Sequence, residues 1–243
     1  MPTNMNAPTL DGKGEIPVYA ARPATSPKAA IIVVPEIFGV NTGIRKKCVH
    51  LATQGYVAVS PDVFWRQKPN VELDADIPEQ FQEAVGYMMK HDFDEGIKDI
   101  EAIIHWIRRV QNVPRVGLVG YCMGGKVAYM AATRTDIDAS VGYYGVGIDQ
   151  MLNESHAIAK PLLLHVPTAD GFVTPEAQFR EGVRQLLGAV GRVREPAQRV
   201  GRLVGGAVGD RRGRRHLRQI GGAHLQRVEQ VARRGVQPRQ RAG

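Results

Sequence analysis

The sequence has few cysteines, no long apolar run and no leader-like start. Only Cys48 and Cys122 occur in 243 residues, far apart in the chain, which favours a reducing cytoplasm over a disulfide-bonded secreted protein. No apolar run approaches the length of a transmembrane helix, and residues 1–14 are polar, unlike a signal peptide. The length suits one large α/β domain with a substantial core.

Residues 180–243 lack Ser, Thr, Asn, Lys, Met, Cys, Phe, Tyr and Trp altogether. Their sixteen arginines against four acidic residues give +12, and since the whole chain carries +8, the remaining residues carry −4. Every residue type in this tail except Ile220 has codons that can begin with G or C. A GC-rich gene carries mostly G or C at the third position of its codons. When such a gene is read one base out of register, this position becomes the first, which gives the observed pattern. We therefore predict that 180–243 is a frameshifted tail and that the native domain spans 1–179.

Two alternatives for the tail stay open. It could be an Arg/Gly-rich disordered arm that binds nucleic acid through phosphate contacts, although such arms usually contain Ser, Lys or aromatic residues. It could also begin as an ordinary helix, because residues 178–187 carry apolar side chains on one face. The break in the sequence could then fall a few residues after 180.

Residues 29–165 alternate between β-branched runs and amphipathic segments. The runs predict strands at Ala29–Val34, Tyr56–Ser60, Val116–Val119, Ala139–Tyr144 and Leu162–His165. Apolar residues at helical spacing predict helices at Thr42–Gln54, Asp76–Lys90, Ile97–Val110 and Lys126–Ala132. This alternation predicts an α/β fold, a mostly parallel sheet with helices on both faces.

Polar or reactive residues follow the predicted strands. Glu36, Asp62, Cys122, Tyr144 and Asp170 each come just after a strand. Because parallel sheets bind ligands at the carboxyl ends of their strands, we expect a site there.

The sequence Gly120-Tyr-Cys-Met-Gly-Gly125 lies between a predicted strand and a predicted helix. Glycines around a central residue in this context indicate a nucleophile elbow, here with cysteine in place of serine. A cysteine at a helix N-terminus is favoured as thiolate. The alternative is a buried structural cysteine, which is the simpler interpretation of Cys48 on its helical apolar stripe.

A nucleophilic cysteine needs a base and a group that orients the base. Asp170 follows the last predicted strand, where an acid belongs in the order nucleophile, acid, histidine. A surface-turn aspartate is the alternative. The five histidines before residue 180 are scattered and do not have the spacing of metal ligands. They are His50, His91, His105, His156 and His165.

Five segments together resemble dienelactone hydrolase, the cysteine-dependent branch of the α/β-hydrolases. They are Val-Pro-Glu-Ile-Phe-Gly-Val-Asn (34–41), Ser-Pro-Asp-Val-Phe-Trp-Arg (60–66), Gly-Tyr-Cys-Met-Gly-Gly (120–125), Gly-Tyr-Tyr-Gly (142–145) and Ala-Asp-Gly-Phe-Val (169–173). The resemblance covers nearly all of residues 12–179. It implies a cofactor-free hydrolase of lactones or activated esters, with a small molecule as its partner.

The resemblance also implies roles for particular residues. Cys122 would attack the lactone carbonyl and become acylated, and Glu36 would take part in activating it when substrate binds. The backbone amides of Ile37 and Met123 would form the oxyanion hole. The side chains that would line the substrate pocket are Trp65 and Tyr144.

The sequence departs from the family in two places. The helix that should bind a substrate carboxylate offers Tyr87 and Lys90 but no arginine, so the substrate is left open. The family's histidine has no match, because His216 and His224 both lack its sequence context. We therefore predict that this exact chain is poorly folded or inactive.

Two other functions are weighed against the lactone hydrolase. One is a general esterase or thioesterase on the same scaffold. The other, from a different class, is nucleic-acid binding through the Arg-rich tail. A monomer fits the sequence, which does not fix the oligomeric state.

Overall fold

The computed structural model describes residues 2–167. Seven strands run over β1 (Met5–Pro8), β2 (Glu15–Ala21), β3 (Ala29–Val34), β4 (Tyr56–Pro61), β5 (Val116–Tyr121), β6 (Ala139–Tyr143) and β7 (Leu162–His165). The helices are α1 (Thr42–Thr53), α2 (Pro78–Lys90), α3 (Phe93–Val110) and α4 (Met123–Arg134), followed by a 3-10 helix at Ile148–Ala157. Among these residues, no helix is long and apolar enough to cross a membrane.

The strands form a single sheet in the order β1-β2-β4-β3-β5-β6-β7. The five strands from β4 to β7 in this order pair in parallel, while β1, β2 and β4 pair antiparallel. The carboxyl ends of β4, β3, β5, β6 and β7 therefore share one edge of the sheet, which we call the carboxyl edge.

Helices cover both faces of this sheet. The apolar stripe of α3 packs with α4 against one face, in a cluster that includes Ile103, Ile107 and Leu118. On the other face, α1 packs through Ile44 and Cys48. The predicted α/β class, with a mostly parallel sheet and helices on both faces, is confirmed, and so is Cys48 as a core residue, fully buried.

Local signals explain where the helices begin. The Asn41 side chain accepts from the Ile44 amide at 3.1 Å, which caps α1. The Asp92 side chain accepts from the Asp94 and Glu95 amides at the start of α3. Capping by Asp92 places this start four residues before the predicted Ile97. Helix α4 begins at Met123, directly after Cys122.

The hairpin of β1 and β2 was not predicted. Only Ala7 is buried in β1, and Pro17 lies within β2, so neither segment shows a strong apolar or β-branched run. This hairpin extends the sheet next to β4, at the end away from β7.

Candidate active site

Strand order brings three predicted site residues to the carboxyl edge. Glu36 follows β3, Cys122 follows β5 and Tyr144 follows β6. Val34 pairs with Gly120 across β3 and β5, and Tyr121 pairs with Tyr143 across β5 and β6. The three segments therefore leave the sheet side by side.

Cys122 adopts a backbone conformation that side chains other than glycine rarely have. Its φ is 52° and its ψ is −112°. Its amide donates to the Tyr143 carbonyl at 3.0 Å, and its own carbonyl accepts from the Gly125 amide at 2.8 Å. Such a conformation costs on the order of 1–3 kcal/mol and persists at functional turns. The side chain is partly exposed, so the predicted elbow presents an accessible thiol.

Two glycines around Cys122 leave no room for a side chain. A Cβ at Gly120 would lie 1.8 Å from the Gly124 carbonyl oxygen, and a Cβ at Gly124 would lie 2.5 Å from the Val34 carbonyl oxygen. Helix α4 consequently begins in direct contact with the end of β3.

Ile37 and Met123 belong to one apolar cluster at this edge. Both are buried, with 6% and 2% exposure, and they share the cluster with Phe38, Phe64 and Phe81. Among residues 2–167, neither of their amides donates to a protein acceptor. Met123 is the first residue of α4, where amides have no partner within the helix. Unpaired amides near a thiol are suited to bind an oxyanion.

Tyr144 joins Glu36 to this site. Its hydroxyl donates to a Glu36 carboxylate oxygen at 2.9 Å, and its φ is 42°. Burial and then the Glu36 charge raise the pKa of Tyr144, with a smaller contribution from Cys122. Tyr144 therefore remains a proton donor to Glu36, a contact that the prediction of a pocket-lining role had not included.

Trp65 is hydrogen-bonded to α3. Its indole Nε1 donates to Asp99 at 2.9 Å, and the Arg66 guanidinium lies 4.4 Å from its ring centroid. The structure thus shows Trp65 as an anchor of the segment after β4. Sequence reasoning missed Asp99, which is 8% exposed on an amphipathic helix.

Asp62 organises the loop that follows β4. Its carboxylate accepts from the Phe64 amide at 3.2 Å and from the Asn70 amide. The residue is 1% exposed, and burial raises its pKa to about 6. These contacts are those of a loop-forming residue.

Asp170, the predicted acid, lies outside the described part of the chain. His216 and His224, the two tail histidines that lack the family's context, lie outside it as well. Within residues 2–167, no group of three or more His, Cys, Asp and Glu side chains could hold a metal ion. The ring of His165, at the end of β7, stacks on Tyr143 with centroids 4.3 Å apart.

Known proteins resemble the chain over most of its length. The dienelactone hydrolase family matches residues 16–189. Carboxymethylenebutenolidase 1 of Cupriavidus pinatubonensis is 36% identical over 166 residues, covering 68% of this chain and 71% of that protein. The carboxymethylenebutenolidase of Pseudomonas putida is 39% identical over 168 residues, covering 69% and 70%.

Solved structures support the same fold. A Klebsiella pneumoniae protein described as a candidate dienelactone hydrolase superposes with a TM-score of 0.61 at 28% identity, covering 77% of this chain and 82% of that one. A dienelactone hydrolase-like promiscuous phosphotriesterase from metagenomic libraries gives a TM-score of 0.59 at 19% identity, covering 77% of each chain. The α/β-hydrolase fold is therefore the architecture of the described residues.

Proposed function

The chain belongs to the dienelactone hydrolase family, and on this basis we propose that it hydrolyses a lactone or activated ester through an acyl-enzyme on Cys122. The carrying observation is the elbow: a partly exposed cysteine in a strained turn, followed by Met123, whose amide, like that of Ile37 in the same apolar cluster, has no protein acceptor among residues 2–167. Nucleophile and oxyanion donors together are what acyl transfer needs. The carboxymethylenebutenolidase relatives support hydrolysis of a carboxylic ester bond.

In the proposed first step, the Cys122 thiolate attacks the carbonyl carbon and a C–S bond forms. The carbonyl π electrons move to the oxygen, which accepts hydrogen bonds from the Ile37 and Met123 amides. When the carbonyl re-forms, the ring C–O bond breaks, and the ring oxygen leaves with the electron pair and takes a proton from solvent. Water then attacks the thioester, the C–S bond breaks, and the products are the ring-opened carboxylic acid and the free thiol.

The proposed activation of Cys122 depends on Glu36 and on the start of α4. The helix N-terminus favours the thiolate, whereas a nearby carboxylate favours the thiol. Tyr144 donates to Glu36 at 2.9 Å, and this hydrogen bond holds part of the carboxylate charge away from the sulfur. Substrate binding that displaces Glu36 from Tyr144 would change the proton affinity of the thiol.

The proposed substrate carries a carboxylate next to an unsaturated lactone, as the name of the carboxymethylenebutenolidase relatives implies. On α2, however, the Tyr87 hydroxyl donates to Glu83 at 2.8 Å, and Lys68 contacts the same carboxylate at 3.1 Å. Tyr87 is therefore engaged in a surface cluster. Lys90 is the one Lys or Arg of α2, all of which the structure describes.

Deacylation is the step at which this chain is expected to be slow. Asp170 is proposed as the acid of the triad, and no histidine in the sequence follows it in the family's context. The family match ends at residue 189, ten residues beyond the proposed domain boundary at 179. We expect the Cys122 thioester to form and then to persist, because water has no positioned base.

The test combines an activated ester with two cysteine variants. With p-nitrophenyl acetate, the chain should release about one equivalent of p-nitrophenolate, and the acetyl group should be found on Cys122. Cys122→Ala should abolish this release. Cys48→Ala is the matched control and should leave it intact, because Cys48 is fully buried and burial raises its pKa to about 12.

Other outcomes would change the proposal in defined ways. Release without acetylation of Cys122 would overturn the acyl-enzyme. Continuous turnover that Cys122→Ala abolishes would support the hydrolase and refute the predicted slow deacylation. Faster acylation by dienelactone than by p-nitrophenyl acetate would favour the lactone hydrolase over a general esterase. Neither cysteine forms a disulfide, which supports the proposed cytoplasmic location.

A further inference from the structure

Helix α3 carries a buried carboxylate that holds two consecutive residues of the segment after β4. Asp99 accepts from the Trp65 indole at 2.9 Å. It also accepts from both terminal nitrogens of Arg66, one of them at 2.9 Å. The Arg66 guanidinium stacks over the Trp65 ring with 4.4 Å to its centroid. We call Asp99, Arg66 and Trp65 the α3 clamp. A two-pronged Arg–carboxylate pair fixes orientation as well as distance.

The residue next to this clamp packs in the apolar cluster of Ile37 and Met123. Phe64 is 1% exposed and lies in the same apolar cluster as Ile37 and Met123. Its amide donates to Asp62 at 3.2 Å, and its ring lies 5.5 Å from Tyr87. Phe64 is thus held on one side by Asp62 and on the other by the clamp.

We propose that Asp99 is a positioning residue for acylation: through Trp65 and Arg66 it keeps Phe64 packed behind the Ile37 and Met123 amides. This inference rests on the proposed function, which gives those amides the oxyanion. Hydrogen bonds to a developing oxyanion act only in a narrow range of distances, and a displacement of about 1 Å costs on the order of a hundredfold in rate. A looser Phe64 would allow such a displacement.

A second ion pair on α3 provides a matched control. Arg108 contacts Asp138 at 3.0 Å, and Asp138 also accepts from the Val116 amide at 2.8 Å. This pair lies where β5 and β6 begin, at the opposite end of these strands from Cys122. Asp138→Asn therefore weakens an Arg–carboxylate contact of the same helix without touching the carboxyl edge.

The experiment compares two reactions of the same thiol. Acylation of Cys122 by p-nitrophenyl acetate builds an oxyanion, whereas alkylation by iodoacetamide does not. Asp99→Asn should lower the acylation rate by about tenfold to a hundredfold and leave the alkylation rate within about twofold. Asp138→Asn should change neither rate by more than about twofold. The ratio of the two rates is the readout, because general destabilisation would move both reactions together.

A second variant keeps the test decisive if Asp99→Asn fails to fold. Arg66 has 41% side-chain exposure, so Arg66→Gln breaks the clamp from its more exposed partner and should lower the acylation-to-alkylation ratio in the same direction. Because the chain has two tryptophans, Trp65 and Trp106, a Trp106→Phe background makes Trp65 the sole reporter. Acrylamide quenching of Trp65 should rise when the clamp is broken.

The outcomes separate the two proposals. The role of Asp99 is overturned if the acylation rate and the alkylation rate fall equally. It is also overturned if acylation is unchanged in a variant in which acrylamide quenching of Trp65 has risen. A wild-type chain that is alkylated but not acylated at Cys122 overturns the proposed function and the positioning role with it.

Discussion

The two ends of the parallel strands are built differently. At the carboxyl edge, Cys122 and Tyr144 have φ values of 52° and 42°, and a Cβ at Gly120 would lie 1.8 Å from a carbonyl oxygen. At the amino end, Arg108 bridges Asp136 and Asp138, and the αL position is occupied by Asn112 with φ of 52°. Asparagine tolerates that conformation better than cysteine or tyrosine does.

The amino end carries ion pairs, whereas the carboxyl edge carries the residues that we propose to be reactive. At the amino end, Arg108 pairs with Asp136 and Asp138, and the positive φ at position 112 is adopted by an asparagine. Among the residues that the structure describes, the carboxyl edge holds two residues with strained backbone and two amides without a protein acceptor, and the rest of the fold offsets their cost. Variants at matched positions can test whether this contrast is real.

The largest effect is expected from two glycines of β5. Gly120→Ala places a methyl group 1.8 Å from backbone, whereas at Gly117 the nearest atom is the Ala139 carbonyl oxygen at 3.6 Å. Urea denaturation should show that Gly120→Ala lowers the free energy of unfolding by more than about 3 kcal/mol or prevents folding. Gly117→Ala should cost less than about 1 kcal/mol. Equal losses would mean that the carboxyl edge is no tighter than the strand's start.

The next effect concerns the buried carboxylate of the carboxyl edge. Burial raises the pKa of Asp62 from 3.8 to about 6, so the folded state binds this proton more tightly than the unfolded state. Its contribution to stability is present below about pH 4 and is lost as the pH rises through about 6. Between about pH 4 and about pH 7, the free energy of unfolding of wild type should therefore fall by on the order of 1–3 kcal/mol relative to that of Asp62→Asn. A difference in free energy between the two proteins that does not change with pH would contradict this prediction.

The smallest effect compares strained backbone at the two ends. Cys122→Gly relieves a φ of 52° combined with a ψ of −112°, and the gain exceeds the entropy that glycine adds to the unfolded chain. We expect the free energy of unfolding to rise by about 1 kcal/mol, while Asn112→Gly changes it by less than about 0.5 kcal/mol. Thermal unfolding of the two variants decides this. A loss of stability in Cys122→Gly would show that the elbow is unstrained.

Much of the sheet followed from local patterns. The continuous apolar runs at Ala29–Val34 and Leu162–His165 predicted β3 and β7 with the bounds observed. The elbow around Cys122 was also local, because glycine spacing and the strand-to-helix change lie within ten residues of one another. Such short-range signals predict the structure well because the local preference of these residues agrees with the conformation that the sheet requires.

Relations between distant residues could not be found in the same way. The Tyr144–Glu36 hydrogen bond joins residues 108 positions apart, and the Trp65–Asp99 bond spans 34 positions. The family resemblance implies that Trp65 lines the pocket, and it does not reveal that the indole donates to Asp99. Its direction was set by Asp99, a partner that no local pattern announces. Strand order, not spacing, decides such contacts.

The adjacency of β3 and β5 has a consequence for folding itself. Ile37 follows β3 and Met123 begins α4 after β5, so the two residues are brought to the same edge only when these two strands are neighbours in the sheet. An unfolded chain has no such pair of donors. Any anion that accepts from both amides therefore binds the native topology alone and shifts the folding equilibrium toward it. By linkage, the oxyanion that these amides are proposed to stabilise would also be a ligand that selects the correctly assembled sheet.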